Sequence, residues 1–255
     1  MGILSTVGLS KYFAGVHAIE KLNINVEKGT IHGLIGPNGS GKSTFFNVVS
    51  GLLPATGGRI YFDSTDITNL SSHIRARIGI GRTFQKARVM DRMSCLENVM
   101  AGLYCRTKTD VTGTFLRIPF TRSLQEANIK TRALELLQFV GLADSAQRWA
   151  SELVWVEHQL LQIARALAIE PKLLLMDEPT AGMGDAESQQ VQRIIERVRE
   201  TGITVVVVSH DVKLVTRVSD SVTAINFGKK IAEGTPAEVQ NNPDVVEAYL
   251  GSEKC

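Results

Sequence analysis

The chain has 255 residues, 44% of them hydrophobic and 21% charged, with 28 Lys and Arg against 26 Asp and Glu. These proportions belong to a globular chain with one large core or two modest ones, and they exclude wholesale disorder. A net charge of +2 gives no general case for a nucleic-acid partner. Cys95, Cys105 and Cys255 are odd in number and contain no C-x-x-C pair, which fits a reduced chain with neither a disulfide framework nor a zinc site. No apolar run approaches the roughly 18 residues of a membrane span. Lys11 arrives too early for a signal peptide. Residues 1–6 formally fit a myristoylation pattern, but the residues that follow read as a strand.

From residue 2 to residue 61 the sequence reads mostly as short strands and turns. Leu22, Ile24 and Val26 alternate with polar residues, as in one half-buried strand. Residues 31–35 are a buried strand that runs into a Gly-rich loop, and a helix follows over 43–50. The stretch from Arg75 to Arg92 is basic: Arg75, Arg77, Arg82, Lys86, Arg88 and Arg92 stand against Asp91 alone. Two readings fit it, a solvated face or a contact surface near a phosphate site or partner. Residues 96–103, 123–140 and 160–168 carry apolar positions at helical spacing. Residues 107–121, with Gly113 and Pro119, read as a loop or insertion. Strands return at 173–176, 204–208 and 222–227, with a helix at 187–200 between the first two. That order implies parallel pairing. A helical insert over roughly 90–165 therefore interrupts an α/β core.

Gly36-Pro37-Asn38-Gly39-Ser40-Gly41-Lys42-Ser43-Thr44 matches G-x-x-x-x-G-K-[ST] between a strand and a helix, the context this motif requires. The glycines let backbone N–H groups converge on an oxyanion, and the helix N-terminus adds positive potential. Lys42 is placed to bridge β- and γ-phosphates, and Ser43 to offer a hydroxyl to Mg²⁺. Residues 173–178, Leu-Leu-Leu-Met-Asp-Glu, form an apolar strand ending in two carboxylates. Asp177 would lie at the carboxyl edge of the sheet, where α/β folds place ligands, and would hold the metal through water. Glu178 would orient or deprotonate an attacking water.

The phosphate loop, the 173–178 strand and Pro179-Thr180-Ala181-Gly182 resemble the ATP-binding subunits of ABC transporters, over essentially the whole chain. The resemblance implies an α/β, P-loop NTPase (RecA-like) core with an N-terminal antiparallel β region and an inserted α-helical subdomain. Residues 1–89 and 166–255 would form the nucleotide-binding core of a single domain, and 90–165 the helical part with the signature region. ATP and Mg²⁺ are the implied cofactors. Gln85, in Gly81-Arg82-Thr83-Phe84-Gln85, matches the family's glutamine loop, which touches Mg²⁺ and the membrane partner. His210, in Val207-Val208-Ser209-His210-Asp211, matches the switch histidine that bonds the γ-phosphate. Phe13 matches the aromatic that stacks on adenine, with Tyr12 as the alternative. His17, His32, His73 and His158 match no ligand of the family and read as structural. Phe13-Ala14-Gly15-Val16, Arg82-Thr83-Phe84-Gln85, the long 104–123 insert and the 234–251 end are similar to subunits of branched-chain amino acid importers. Importers of urea or aromatic acids share these features.

The family's L-S-G-G-Q signature has a different counterpart here: Leu153-Val154-Trp155-Val156-Glu157, aligned through Gln162-Ile163-Ala164-Arg165-Ala166-Leu167. Val154 has no hydroxyl, and Trp155 and Val156 carry side chains where close backbone approach needs little or none. In this family each site combines one chain's phosphate loop with the other chain's signature. The resemblance therefore implies a heterodimer with a second ABC ATPase, on two permease subunits fed by a solute-binding protein, at the cytoplasmic face of the inner (plasma) membrane. A homodimer in which Glu157, His158 or Gln159 supplies substitute contacts stays open. Three rivals fit less well. A DNA or ribosome ABC protein usually carries two cassettes or a heptad-rich insertion. A small-molecule kinase would not need Gln85, His210 and residues 153–165 together. A non-hydrolysing regulatory subunit would not need Glu178.

Overall fold

A computed structural model of the chain describes residues 2–104 and 119–250. Cys105, Cys255, Gly113, Gly251 and most of the 104–123 insert lie outside the described residues. The chain forms two compact units, one of Met1–Gln85 with Lys172–Cys255 and one of Lys86–Pro171.

In the first unit, β1 (Leu4–Phe13), β2 (Val16–Leu22), β3 (Asn25–Val26), β5 (Gly57–Phe62) and β6 (Thr65–Asp66) make an antiparallel sheet. Its order is β2-β1-β5-β6, with β3 also on β1. Leu22, Ile24 and Val26 are all buried, as their alternation demands, yet they do not form one strand. Thr6 Oγ1 donates to Leu22 O (3.0 Å) and accepts from Ile24 N (3.0 Å), so a side chain takes the ladder groups at the break.

The second sheet of this unit contains β4 (Ile31–Ile35), β7 (Ile80–Arg82), β8 (Leu173–Asp177), β9 (Thr204–Val208), β10 (Ser221–Asn226) and β11 (Lys229–Gly234). The order is β11-β10-β4-β9-β8-β7, parallel except for β11. Every residue of β4, β8 and β9 is buried, which explains why they read as unbroken apolar runs rather than alternating ones. Around the sheets lie α1 (Lys42–Val49), α2 (Ser72–Arg77), α6 (Asp185–Glu200), α7 (Val212–Val218), α8 (Pro236–Gln240) and α9 (Pro243–Leu250). Phe45 and Phe46 of α1 join Leu34, Leu175, Val206 and Val208 in the main core.

The second unit packs α3 (Cys95–Tyr104), α4 (Pro119–Val140) and α5 (Trp155–Ala168) against one another. Residues 119–121, expected in a loop, are helical. A proline in a first turn lacks only an amide that has no intrahelical partner there. Helix α5 starts at Trp155, five residues before its apolar periodicity becomes legible, because Trp155 is exposed while Val156 is buried. Among the described residues, no helix is long and apolar enough to cross a membrane.

Two members of the basic stretch turn inward instead of toward solvent. Arg75 is buried and donates to four carbonyls: Leu70 O (2.9 Å), Thr68 O (2.8 Å), Val48 O and Val49 O (both 2.7 Å). It thereby satisfies carbonyls at the C-terminal end of α1. Arg82 is the other.

His32 is buried on β4, with Nδ1 2.9 Å from Ser221 Oγ and Nε2 3.0 Å from Thr223 Oγ1. Burial pushes its pKa down from 6.5 to about 4, opposed by Glu233 and reinforced by Lys230. The unfolded chain therefore takes up a proton that the fold refuses. The stability His32 confers is complete above about pH 6.5 and drains away as the pH falls toward 4, by about 3 kcal/mol in all. Urea unfolding across that range should show the unmodified chain losing about 3 kcal/mol more than His32→Gln. Parallel pH profiles for the two would disprove the assignment.

Candidate active site

The loop at residues 36–41 leaves β4 and opens α1. Gly36 and Gly41 are required by close approach: a Cβ would lie 2.1 Å from Ile225 O at the first and 2.4 Å from Ala18 O at the second, where φ is +108°. Gly41 is the N-cap of α1, and the helix has no acidic residue in its first turn, so its positive end is uncompensated. Lys42 Nζ donates to Gly36 O (2.6 Å) and Pro37 O (3.0 Å). Burial pushes the Lys42 pKa down, while the charges of Glu178 and then Asp177 push it up. Asn38, Gly39 and Ser43 are exposed, Pro37 and Thr44 half-buried and Ser40 buried.

Strand β8 delivers the two carboxylates. Asp177 is buried and accepts from Arg82 Nη2 at 3.1 Å. Burial raises its pKa, and the Arg82 guanidinium opposes that rise. Glu178 has φ +49°, a left-handed backbone that costs a non-glycine residue on the order of 1–3 kcal/mol and tends to be retained at working sites. Its N–H donates to Val208 O (2.8 Å), its Oε2 accepts from Ser209 Oγ (3.1 Å), and its Oε1 accepts from His210 N (3.0 Å). His210 Nδ1 is 2.8 Å from Oε2, with the tautomer set by that contact. Glu178 and His210 face a cavity of about 590 Å³ that also takes in Thr180, Asp185, Gln192 and Arg217.

So the structure gathers Lys42, the adjacent Asp177 and Glu178, and His210 from three segments far apart in sequence. Gln85 is exposed on a bend just past β7. The Tyr12 ring is stacked on His17, with centroids 4.2 Å apart, whereas Phe13 is 42% exposed with Lys11 Nζ 4.9 Å from its ring centroid. Two participants escaped the sequence reading. Ser209 lies next to His210 in sequence, but nothing local pairs its hydroxyl with Glu178. Arg82 was counted with the basic stretch, although its partner is Asp177.

Residues 19–181 match the ABC transporter family. The chain belongs to that family. It is therefore an ATP-binding and ATP-hydrolysing cassette, coupled to transport. Residues 229–254 also match a family described as branched-chain amino acid ATP-binding cassette transporter. The chain is 38% identical over 251 residues to BraF of Pseudomonas aeruginosa and 36% identical over 250 residues to LivG of Escherichia coli, covering 98% of both chains each time. Both relatives are described as high-affinity branched-chain amino acid transport ATP-binding proteins. The fold is similar to an ABC transporter cassette solved in its ADP conformation (TM-score 0.86, 35% identity, 98% of this chain and 99% of that one). It is also similar to a bacterial ABC transporter cassette solved as a dimer (TM-score 0.78, 26% identity, 91% and 98%).

The segment aligned with the family's signature, residues 153–157, lies in the second unit. Leu153 and Val156 are buried, while Val154 is 59% and Trp155 43% exposed at the start of α5. Val154 is the N-cap but has no side-chain acceptor, so only half of a capping box forms: Glu157 Oε2 accepts from Val154 N at 3.0 Å. Arg148 holds the same carboxylate through Glu157 Oε1 at 3.1 Å. Gln159 is buried and accepts from Gln162 Nε2 at 3.0 Å.

The Tyr12 ring is engaged by His17 and the Phe13 ring is exposed, so the expectation that Phe13 stacks on a base can be tested directly. Phe13→Ala should weaken nucleotide binding by about 1–3 kcal/mol, and Tyr12→Ala by less. Equilibrium titration with a fluorescent ATP analogue measures both, and the reverse order of effects would reassign the platform.

Proposed function

We propose that this cassette energises an importer of branched-chain amino acids or a related small solute, working in an asymmetric pair with a second, different ATPase subunit. Two permeases above it, a solute-binding protein beyond them, and a peripheral position on the cytoplasmic face of the plasma membrane complete the reading. The relatives' descriptions and the match at residues 229–254 support the solute class.

The observation that carries the catalytic reading is Glu178, held in a left-handed backbone at the end of β8 with its carboxylate fixed by Ser209 and His210. In this reading Lys42 exchanges the carbonyls of Gly36 and Pro37 for β- and γ-phosphate oxygens, and the loop amides cradle the rest. Ser43, Gln85 and Asp177 offer only oxygen donors, the set a hard cation takes. Among the described residues no group of three or more His, Cys, Asp or Glu gathers elsewhere to compete. Magnesium fits that set and, when bound, would neutralise charge on the phosphate oxygens. Glu178 orients the attacking water and accepts its proton. While His210 Nδ1–H is given to Glu178, Nε2 carries the lone pair. Donation to a γ-phosphate then requires the imidazolium or a turned ring. Glu178→Gln should keep nucleotide binding and lower phosphate release from the assembled transporter about 10²–10⁴-fold. Near-normal release would remove Glu178 as the base.

The asymmetric pairing is supported by the start of α5. The amide of its N-cap, Val154, is already taken by Glu157, and a carboxylate there opposes an incoming phosphate. Glu157 only accepts hydrogen bonds, so it cannot stand in as a phosphate donor, and Gln159 is turned inward. The chain alone should therefore hydrolyse ATP poorly at any concentration. Its cognate ATPase and permeases should restore turnover, by about 10³-fold if the partner's signature donors act like other trans-acting groups. Turnover by the pure chain equal to that of the complete transporter would rule the pairing out.

A further inference from the structure

Arg82 ends β7, three residues before Gln85, and its guanidinium faces inward. Nη1 donates to Asn47 Oδ1 and Ser50 Oγ, both at 2.8 Å and both at the end of α1. Nη2 donates to Asp177 Oδ2 at 3.1 Å, with each side chain of the pair only 8% exposed. The guanidinium carbon lies 5.7 Å from the ring centroid of Phe46 and 4.9 Å from that of Phe84. The backbone is pinned as well: Arg82 pairs with Leu175 in the β7–β8 ladder, and Thr83 N donates to Leu175 O at 2.9 Å.

A buried ion pair is a poor source of stability, because desolvating two charges offsets most of their attraction. This one has a geometric consequence. A planar fork set against two rings and anchored to two acceptors on the phosphate-loop helix has little freedom, so the carboxylate oxygen it grips is fixed in place. Oδ1 is then the Asp177 oxygen turned to other duty. We propose that Arg82 is a positioning residue that holds Asp177 Oδ2 so that Oδ1 serves the magnesium ion of the nucleotide. The proposal rests on the reading of Asp177 as the metal-side carboxylate. It also joins, through one side chain, the helix that follows the phosphate loop, the strand that ends in the carboxylates, and the strand that leads to Gln85.

Outer partners that orient a ligating carboxylate typically change metal affinity by about 10–100-fold when removed. The test titrates a fluorescent ATP analogue into the full chain, first with EDTA and then over a range of Mg²⁺ concentrations, for the unmodified chain, Arg82→Lys, Arg82→Gln and Asp177→Asn. Arg82→Lys keeps the charge and loses the fork. The expected result is unchanged metal-free nucleotide affinity in both Arg82 variants, which also reports folding, with half-saturating Mg²⁺ raised about 10–100-fold. Asp177→Asn should shift it in the same direction. An Asp177→Asn variant with unaltered Mg²⁺ dependence would overturn the metal-side reading itself, and this proposal with it. A shift in Asp177→Asn but none in Arg82→Lys would overturn the Arg82 proposal alone. Tighter Mg²⁺ binding in Arg82→Gln would make Arg82 a competing cation, and that also overturns it. Should the Arg82 variants not fold, the Asn47→Ala, Ser50→Ala double variant decides. It loosens Nη1 and leaves Asp177 untouched. A smaller rise in half-saturating Mg²⁺ supports positioning, and no change rejects it.

Discussion

Three parallel strands end level with one another, and the active site depends on that. Leu34 of β4 and Asp177 of β8 both pair with Val208 of β9. One residue or two beyond this line the chain becomes the glycine-rich loop at Gly36, the Glu178 carboxylate, and the Ser209-His210 pair. The bond from Glu178 N to Val208 O locks two of these ends together directly. A one-residue slip of β8 on β9 would move a carboxylate off the edge and turn its side chain to the other face. Every residue of β4, β8 and β9 is buried, so such a slip would have to repack both covered faces of the sheet at once.

Charge is held in this sheltered place by mutual compensation. Asp177 is paired with Arg82, Glu178 is solvated by Ser209 and the His210 backbone, and Lys42 lies in the field of both carboxylates. Removing water strengthens each of these interactions and makes any unpaired group costly, so the partners hold one another in place. The helix ends sort by the same logic. Helix α1 begins without an acid and is open to an anion. Helices α5 and α6 begin with Glu157 and with Asp185 and Glu187, whose carboxylates already answer the helix N-terminus.

The phosphate loop, the strand ending in Asp177 and Glu178, and the parallel order of β8, α6 and β9 were legible from residue types and spacing. Each is a local rule: glycines where the backbone must curl, an apolar run where both faces are covered, a helix between two strands. Side-chain partnership was not legible. Arg75 and Arg82 looked like members of one charged face, yet their acceptors are up to 27 and 95 residues away. Phe13 was preferred to Tyr12 by resemblance alone, and no local pattern reports that the Tyr12 ring stacks on His17. The break between β2 and β3 depends on the hydroxyl of Thr6, on a different strand, which no alternation pattern reports.

The sequence by itself therefore determined the fold class and the chemistry on offer, because those follow from what neighbouring residues can and cannot do. Tertiary structure alone decided how that chemistry is held. It turned Arg82 onto Asp177, placed Ser209 and His210 on Glu178, and gave the Val154 amide to Glu157. Periodicity records which side of an element is buried. A hydrogen-bonded pair records where two distant elements meet, and only the packed chain brings them within 3 Å or so of each other.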